Sequence, residues 1–337
     1  MKNIENRQIR LKRVPSGVPE LKDFELSRCH MEEPLEGYFL AKTLILSLDP
    51  YIRAVMSGRH FYGVPAVGDI VRARSVARVE VSRNKSYREG DLVLLETGLQ
   101  DYIISDGHGV HAVDTGSAPI SAALGVMGMP GLTAYAALFG PAQMQAGETI
   151  LVSAASGAVG CMVGQIAKLN GCLAYGIAGS KQKCDWVVNE AGFDGCFDRK
   201  LDNIDMRLAE NLSDGANIFF DNTGGDLQEI VLTRHLADNS RIILSGLISQ
   251  YNSVSPPPGP NLGNLVKVRA TVFGFVVYDF EHMREKFLTD VKGWYDSGDI
   301  AFNEDVTVGL ETAPSQFIKL MRGENFGKTL VDTQSEE

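Results

Sequence analysis

The sequence predicts an α/β protein in which a β-rich domain opens the chain and a doubly wound parallel sheet follows. Three observations carry this expectation. At 337 residues the chain is too long for one comfortable core, so two domains are expected. Its first third consists of short apolar or alternating runs closed by turn residues. From about Ala122 onward, short apolar strands alternate with helix-compatible stretches, the grammar of a parallel sheet covered on both faces.

In the first third, residues 40–50 (LAKTLILSLDP), 71–81 (VRARSVARVEV) and 91–97 (DLVLLET) read as strands, with turns at Gly68-Asp69 and Gly90-Asp91. Beyond Ala122 six strands are expected, at 149–154 (TILVSA), 173–178 (LAYGIA), 195–198 (GCFD), 217–222 (NIFFDN), 241–246 (RIILSG) and 270–275 (ATVFGF). Helix-compatible segments such as 159–170 and 182–191 lie between them. A helix runs from Phe287 toward Tyr295, and a short β-like tail ends at Val331. There are no internal repeats; PPPGP at 256–260 reads as a rigid loop.

Composition narrows the function. The net charge of −10 is wrong for coating phosphate backbones, so no nucleic-acid partner is expected. The first residues, MKNIENRQIRLKRV, lack the apolar core of a signal peptide. Residues 115–147 carry no charge but are broken by Pro119, Pro130, Pro141 and many glycines. They read as buried helices at a domain junction, since a bilayer span needs about 20 unbroken apolar residues. No membrane association is expected. Five cysteines, with no C-x-x-C pair, read as free thiols of a reducing cytoplasm.

The informative segment is ILVSAASGAVGCMVGQIAK, residues 150–168. A strand runs into Ala155-Ser156-Gly157-Ala158-Val159-Gly160 and a helix follows, which is G-x-G-x-x-G with alanine at its first position. Gly157 would let the backbone approach a pyrophosphate lying on the helix N-terminus, and Gly160 would let helix and strand pack closely. Alanine at the first position is tolerable where that turn needs no positive φ. A tight turn without a ligand would use similar residues; the strand before, the helix after and the second strand at 173–178 favour the dinucleotide reading, that of a Rossmann domain.

A site for NAD usually places an acid at the end of the second strand. Here that region reads Gly176-Ile177-Ala178-Gly179-Ser180-Lys181-Gln182-Lys183, with no acid. Ser180 can donate a hydrogen bond, Lys181 and Lys183 are cationic, and Arg199 follows the third strand. Positive charge in that place suits the ribose 2′-phosphate of NADP, although lysines are most often plain surface residues. A metal is not expected. Cys29, His30, His60, His108 and His111 do not form the three- or four-ligand set that zinc requires, and the last two histidines read as surface-loop residues.

Residues 153–172 (SAASGAVGCMVGQIAKLNGC) resemble the zinc-free branch of the medium-chain dehydrogenase/reductases. Within it, the chain is similar to the prostaglandin reductase, alkenal reductase and curcumin reductase group. The resemblance extends through LSLDPYIR (46–53), GMPGLTAY (128–135), FDNTGG (220–225), GLISQYN (246–252), FGFVVYDF (273–280) and GENFGKTLV (323–331). The chain departs from the group's usual pattern at Arg199, at residues 98–102 (GLQDY) and at Arg74-Ser75-Val76.

The resemblance implies a GroES-like, β-rich catalytic domain made of residues 1–121 and 300–337, with a Rossmann domain over 122–299. It implies NADPH as cofactor, and reduction of the carbon–carbon double bond of α,β-unsaturated ketones or aldehydes by hydride transfer to the β-carbon. By the same resemblance Gly157, Ala158, Val159 and Gly160 would cradle the pyrophosphate and Lys183 would pair with the 2′-phosphate. Asn222, Ser245, Gly246 and Ile248 would line the cofactor, Phe275 and Val276 would meet its nicotinamide end through backbone groups, and Asn325 would reach it from the tail. Tyr251 would stand beside the nicotinamide ribose and the substrate carbonyl as the catalytic hydroxyl. Tyr51 and Tyr278 are candidates for the substrate pocket, and core packing would explain them equally well. Two other functions stay open at this stage: an NADPH quinone reductase, and a non-catalytic NADPH-binding protein. A homodimer is also implied, with 270–275 as the pairing edge.

Overall fold

The computed structural model describes residues 4–60, 63, 65–255 and 257–334. In chain order its principal elements begin with β1 (Glu5–Leu11), β2 (Phe24–His30), β3 (Phe39–Ser47), α1 (Tyr51–Met56), β4 (Arg74–Ser82), β5 (Leu92–Glu96), β6 (Tyr102–Ser105) and β7 (His111–Ala112). They continue with α2 (Met129–Phe139), β8 (Thr149–Ser153), α3 (Ala158–Leu169), β9 (Leu173–Ala178), α4 (Lys181–Asn189), β10 (Gly195–Asp198), α5 (Ile204–Asn211) and β11 (Ala216–Asp221). The remainder are α6 (Gly225–Arg234), β12 (Leu236–Leu244), α7 (Gly263–Lys267), β13 (Thr271–Gly274), α8 (Arg284–Asp296), β14 (Glu304–Val308), α9 (Ala313–Met321) and β15 (Lys328–Asp332). The chain divides into two compact units, residues 1–124 with 304–337, and residues 125–303.

The first unit is built on a seven-stranded sheet ordered β14-β15-β3-β4-β5-β7, with β6 also paired to β3, and a separate β1–β2 hairpin. All its pairings are antiparallel except β14 with β15. The alternation of a strand sorts neighbouring side chains to opposite faces. Ala77, Val93 and Leu95 join Phe39 in one core cluster, whereas Val76 and Leu94 join Leu330 and Leu124 in another. Enclosing a side chain the size of Phe39, which is fully buried, contributes about 1.5–3 kcal/mol. Lys328 fastens the end of β3 to β15: its buried ammonium donates to Asp49 Oδ1 at 3.0 Å and to the Leu48 carbonyl at 2.9 Å. That ion pair fixes the turn into α1, where Tyr51 stands.

The second unit is a six-stranded, wholly parallel sheet ordered β10-β9-β8-β11-β12-β13. Numbered from β8, that is 3-2-1-4-5-6, the doubly wound order of dinucleotide-binding sheets. Leu151, Ile177, Phe197, Phe219 and Ile242, one from each of five adjacent strands, form a single buried layer with Leu208 of α5 and Val231 of α6. The uncharged stretch near Pro130 becomes α2, buried from Pro130 to Leu138, with the proline in the first turn where a missing N–H does no harm. Among the described residues no helix is long and apolar enough to cross a membrane. Of the proline tract, Pro256 lies outside the described residues, and 257–260 are without regular secondary structure.

Candidate functional site

In a sheet of this order the strand sequence reverses between β8 and β11, and ligands bind beyond the carboxyl ends of the strands at such a point. The sequence-predicted residues of the second unit gather at those ends. After β8 the backbone turns sharply: Ala154 takes a φ of +53°, and the Gly157 N–H donates to the Ala154 carbonyl at 2.9 Å. Ala155, in the first motif position, keeps a negative φ, which is why alanine suffices there. Gly157 caps α3 with extended geometry, and no side chain caps the helix. The first amides of α3, on Ala158, Val159 and Gly160, therefore have neither intrahelical nor side-chain acceptors. Gly160 is obligatory: a Cβ there would lie 2.3 Å from the Ala154 carbonyl oxygen.

At the end of β9, Ser180 is the N-cap of α4 and its Oγ accepts the Lys183 N–H at 3.3 Å. Lys183 is half-buried on the first turn. Arg199 follows β10, its N–H bonds the Ala178 carbonyl at 3.0 Å, and its Nε would lie 3.7 Å from a Cβ on Gly179. Ser180, Lys183 and Arg199 thus converge on one strand end. Lys181 is set apart from them: it is exposed and bonds both carboxylate oxygens of Asp185 one turn along α4, at 2.8 and 2.7 Å.

At the end of β11, Asn222 donates through Nδ2 to the Ser153 carbonyl at 2.9 Å, and its N–H donates to Ser153 Oγ at 2.8 Å. The N–H groups of Ser245 and Gly246 reach the Asp221 carbonyl at 2.9 and 3.2 Å, and the Ile248 N–H reaches the Asn222 carbonyl at 3.2 Å. Tyr251 follows the short 3-10 turn begun by Ile248; its hydroxyl oxygen accepts the Leu247 N–H at 3.4 Å and lies 3.4 Å from the position of a Cβ on Gly246. Burial pushes the Tyr251 phenol above its ordinary pKa, only partly opposed by the Leu247 N–H, so the hydroxyl keeps its proton at neutral pH. Beyond β13, Phe275 is buried, stacks on Phe280 at 4.9 Å between centroids, and its N–H bonds the Leu244 carbonyl; Val276 is exposed. Tyr278 follows two residues later, half-buried.

Two named residues belong to the first unit. Tyr51 opens α1 and packs its ring 5.4 Å from that of His60, while Asn325, ahead of β15, donates to the Gly327 carbonyl at 2.9 Å. The departures at residues 98–102 and at Ser75-Val76 are interior to this unit: Leu99, Ser75 and Val76 are buried, and Gln100 accepts from Asn6 and Gln8 at 3.0 and 2.8 Å. Among the described residues no three His, Cys, Asp or Glu side chains are grouped so as to hold a metal ion.

Sequence reasoning missed the network beneath the site. Buried Asp221 accepts from Ser153 Oγ, the N–H groups of Thr223 and Gly224, and Gln228 Nε2, all between 2.8 and 3.0 Å. The available signal was an acid closing the apolar run NIFFD, where a carboxylate needs several donors to be tolerated.

Two family models match the chain, an N-terminal domain of oxidoreductase over residues 7–113 and a zinc-binding dehydrogenase over residues 158–292. The chain is 38% identical to an NADPH-dependent curcumin reductase of Escherichia coli (strain K12), over 97% of this chain and 96% of that protein. It is 39% identical to prostaglandin reductase 1 of Bos taurus, over 95% and 97% respectively. The crystal structure of CurA in complex with NADPH from Vibrio vulnificus superposes with a TM-score of 0.92 at 40% identity, covering 98% of this chain and 100% of that one.

Proposed function

Since this chain belongs to the medium-chain dehydrogenase/reductase family, in the group of prostaglandin, alkenal and curcumin reductases, we propose that it reduces the carbon–carbon double bond of α,β-unsaturated ketones or aldehydes with NADPH. It is an NADP-dependent oxidoreductase. The observation that carries the reading is the uncapped start of α3 at the reversal of strand order, beside the end of β9, where residues 176–183 hold no acid and Ser180 and Lys183 follow.

The residues present fit the cofactor. The free amides at Ala158, Val159 and Gly160 suit a pyrophosphate, and Gly160 lets α3 pack against the turn at Ala154. Ser180, Lys183 and Arg199 suit the 2′-phosphate, for which cationic donors are the natural partners. Asn222, Ser245, Gly246, Ile248, Phe275 and Val276 would line the remainder. The bound nicotinamide supplies a hydride.

The protein's own contribution is to hold the acceptor and to stabilise the charge that develops on its carbonyl oxygen. Tyr251 is suited to this role. Its oxygen already accepts from Leu247, which leaves its proton to be donated, and its raised pKa keeps that proton in place. A donor aimed at a developing enolate lowers the barrier by about 3 kcal/mol. The α-carbon then takes its proton from Tyr251 or from solvent. Tyr278 would shape the acceptor pocket. The protein would act as a homodimer, paired through the edge strand β13, whose Thr271 and Val272 are exposed.

Titration with NADPH and with NADH by fluorescence, followed by addition of an alkenal while NADPH absorbance is recorded, tests the proposal. Tight NADPH binding, weak NADH binding and alkenal-dependent oxidation are expected. Oxidation by quinones alone would replace the substrate class, binding without oxidation by either would make the protein a non-catalytic binder, and failure to bind either nucleotide would overturn the assignment.

A further inference from the structure

The turn that carries Tyr251 hangs from the turn that follows β11. From Ser245 onward the chain bonds in succession to three carbonyls. The N–H groups of Ser245 and Gly246 take that of Asp221, the Ile248 N–H takes that of Asn222 at 3.2 Å, and the Ser249 N–H takes that of Thr223 at 3.1 Å. Ser249 adds a side-chain bond at the same place: its Oγ donates to the Thr223 carbonyl at 2.7 Å. The peptide that Ser249 grips is held from beneath, because the N–H groups of Thr223 and Gly224 are both bonded to buried Asp221, at 2.9 and 3.0 Å. The two turns meet closely where side chains are missing. A Cβ on Gly225 would lie 3.0 Å from Ser249 Oγ, and one on Gly224 would lie 2.8 Å from Leu247 Cδ2 and 3.1 Å from Gln250 Nε2.

We propose that Ser249 is a positioning residue for the reaction: its hydroxyl clasps the Tyr251 turn to the Thr223 carbonyl and so fixes where the Tyr251 hydroxyl stands. The catalytic consequence rests on the reading of Tyr251 given above; the clasp does not.

Ser249 divides the loop in two. On its N-terminal side, Ser245, Gly246 and Ile248, the residues suited to line the cofactor, hang from Asp221 and Asn222. Those bonds remain when the Ser249 hydroxyl is removed. On its C-terminal side the backbone bonds are local: Gln250 to Leu247, Tyr251 to Ile248 and Ser253 to Gln250, at 2.8, 3.3 and 3.0 Å. These three stay inside the turn, so among the described residues Ser249 is its last backbone anchor before Tyr251. Without the hydroxyl, only the longer N–H bond ties the turn at Thr223. A donor that serves a developing charge has to be held to a fraction of an ångström, so slack at this point slows the chemistry while cofactor binding is kept. Ser249 is exposed, so replacing it opens no cavity.

The test compares S249A and S249T with the parent, and includes Y251F and the S249A/Y251F double variant. Turnover with an alkenal, NADPH titration and thermal melting are measured. Amide exchange is read by mass spectrometry on the protein without nucleotide. S249A should turn over about threefold to tenfold more slowly, the range for one lost hydrogen bond, with the NADPH dissociation constant and melting temperature of the parent. S249T, which keeps the hydroxyl, should recover most of the loss. The amides of Gln250, Tyr251 and Ser253 should exchange faster in S249A, and those of Ser245, Gly246 and Ile248 at the parent rate. The double variant should be no slower than Y251F. Parent turnover in S249A beside a slowed Y251F would overturn the proposal. Turnover and NADPH affinity that fall together would also overturn it, by making the role merely structural. If Y251F matches the parent, or the parent reduces no alkenal, the catalytic consequence falls with the Tyr251 reading. Exchange alone then decides the clasp, and an unchanged rate in S249A would overturn it.

Discussion

Ser153 Oγ donates to Asp221 Oδ1 at 2.8 Å, joining the ends of β8 and β11 through two fully buried side chains. Asp221 holds three further donors, two of them backbone groups of the turn at Thr223-Gly224. D221A would strand all four in the interior. We expect a loss of about 2–4 kcal/mol, read as a lower urea midpoint. S153A, which removes one donor and leaves three, should lose about 1 kcal/mol. Equal midpoints for D221A and the parent would show that the network is slack.

Y251F keeps the ring and removes the hydroxyl. Turnover should fall about tenfold or more, with the NADPH dissociation constant unchanged. A turnover equal to the parent would take Tyr251 out of the chemistry.

Lys183→Ala and Arg199→Ala test the cofactor preference. Each should weaken NADPH binding by about 1.5–3 kcal/mol, roughly tenfold to a hundredfold, and leave NADH untouched. Lys181→Ala is the matched control, because that lysine is already bonded to Asp185. Weakening of both nucleotides alike would place the two cations elsewhere than at the 2′-phosphate.

Asp305 on β14 predicts an acid limb in stability. Burial opposes its ionisation, but Lys319 and Gln316 of α9 and the Phe326 N–H hold its carboxyl below the usual aspartate value. The folded state therefore binds fewer protons than the unfolded one between the two values. Its contribution is complete above the ordinary aspartate value and is lost as pH falls through the depressed folded value. K319M should flatten that limb, measured by urea midpoints across an acid series; an unchanged limb would assign it to other carboxylates.

The exposed edge of β13 predicts the assembly. Val272→Asp sets a charge where two strands would meet. Light scattering should find a dimer for the parent and a monomer for the variant, and a monomeric parent would refute the pairing.

All six strands of the parallel sheet were legible because each is an apolar run closed by small residues, and the turn after β8 because its glycines lie between strand and helix. β12 was read short. It begins at Leu236, yet Asp238-Asn239 looks like a turn and Asn239 does adopt a φ of +58° within the strand. The left-handed Ala154 was invisible, since alanine carries no signal for that conformation. The Ser153–Asp221 bond was out of reach because its partners are 68 residues apart in sequence. Which lysine is committed elsewhere was partly readable, since Lys181 and Asp185 are spaced for one helical turn.

The pairing of β15 with β3 bears on the order in which the chain takes shape as it leaves the ribosome. β3 is made among the first fifty residues, but its neighbour Leu330–Asp332 emerges nearly three hundred residues later. The parallel sheet, contiguous from residue 125 to 303, is complete before that. The nucleotide-facing unit can thus assemble during translation, while residues 45–47 of β3 wait without their β15 partners. A chain that stops before Lys328 would leave the Rossmann sheet whole and the other unit without β15.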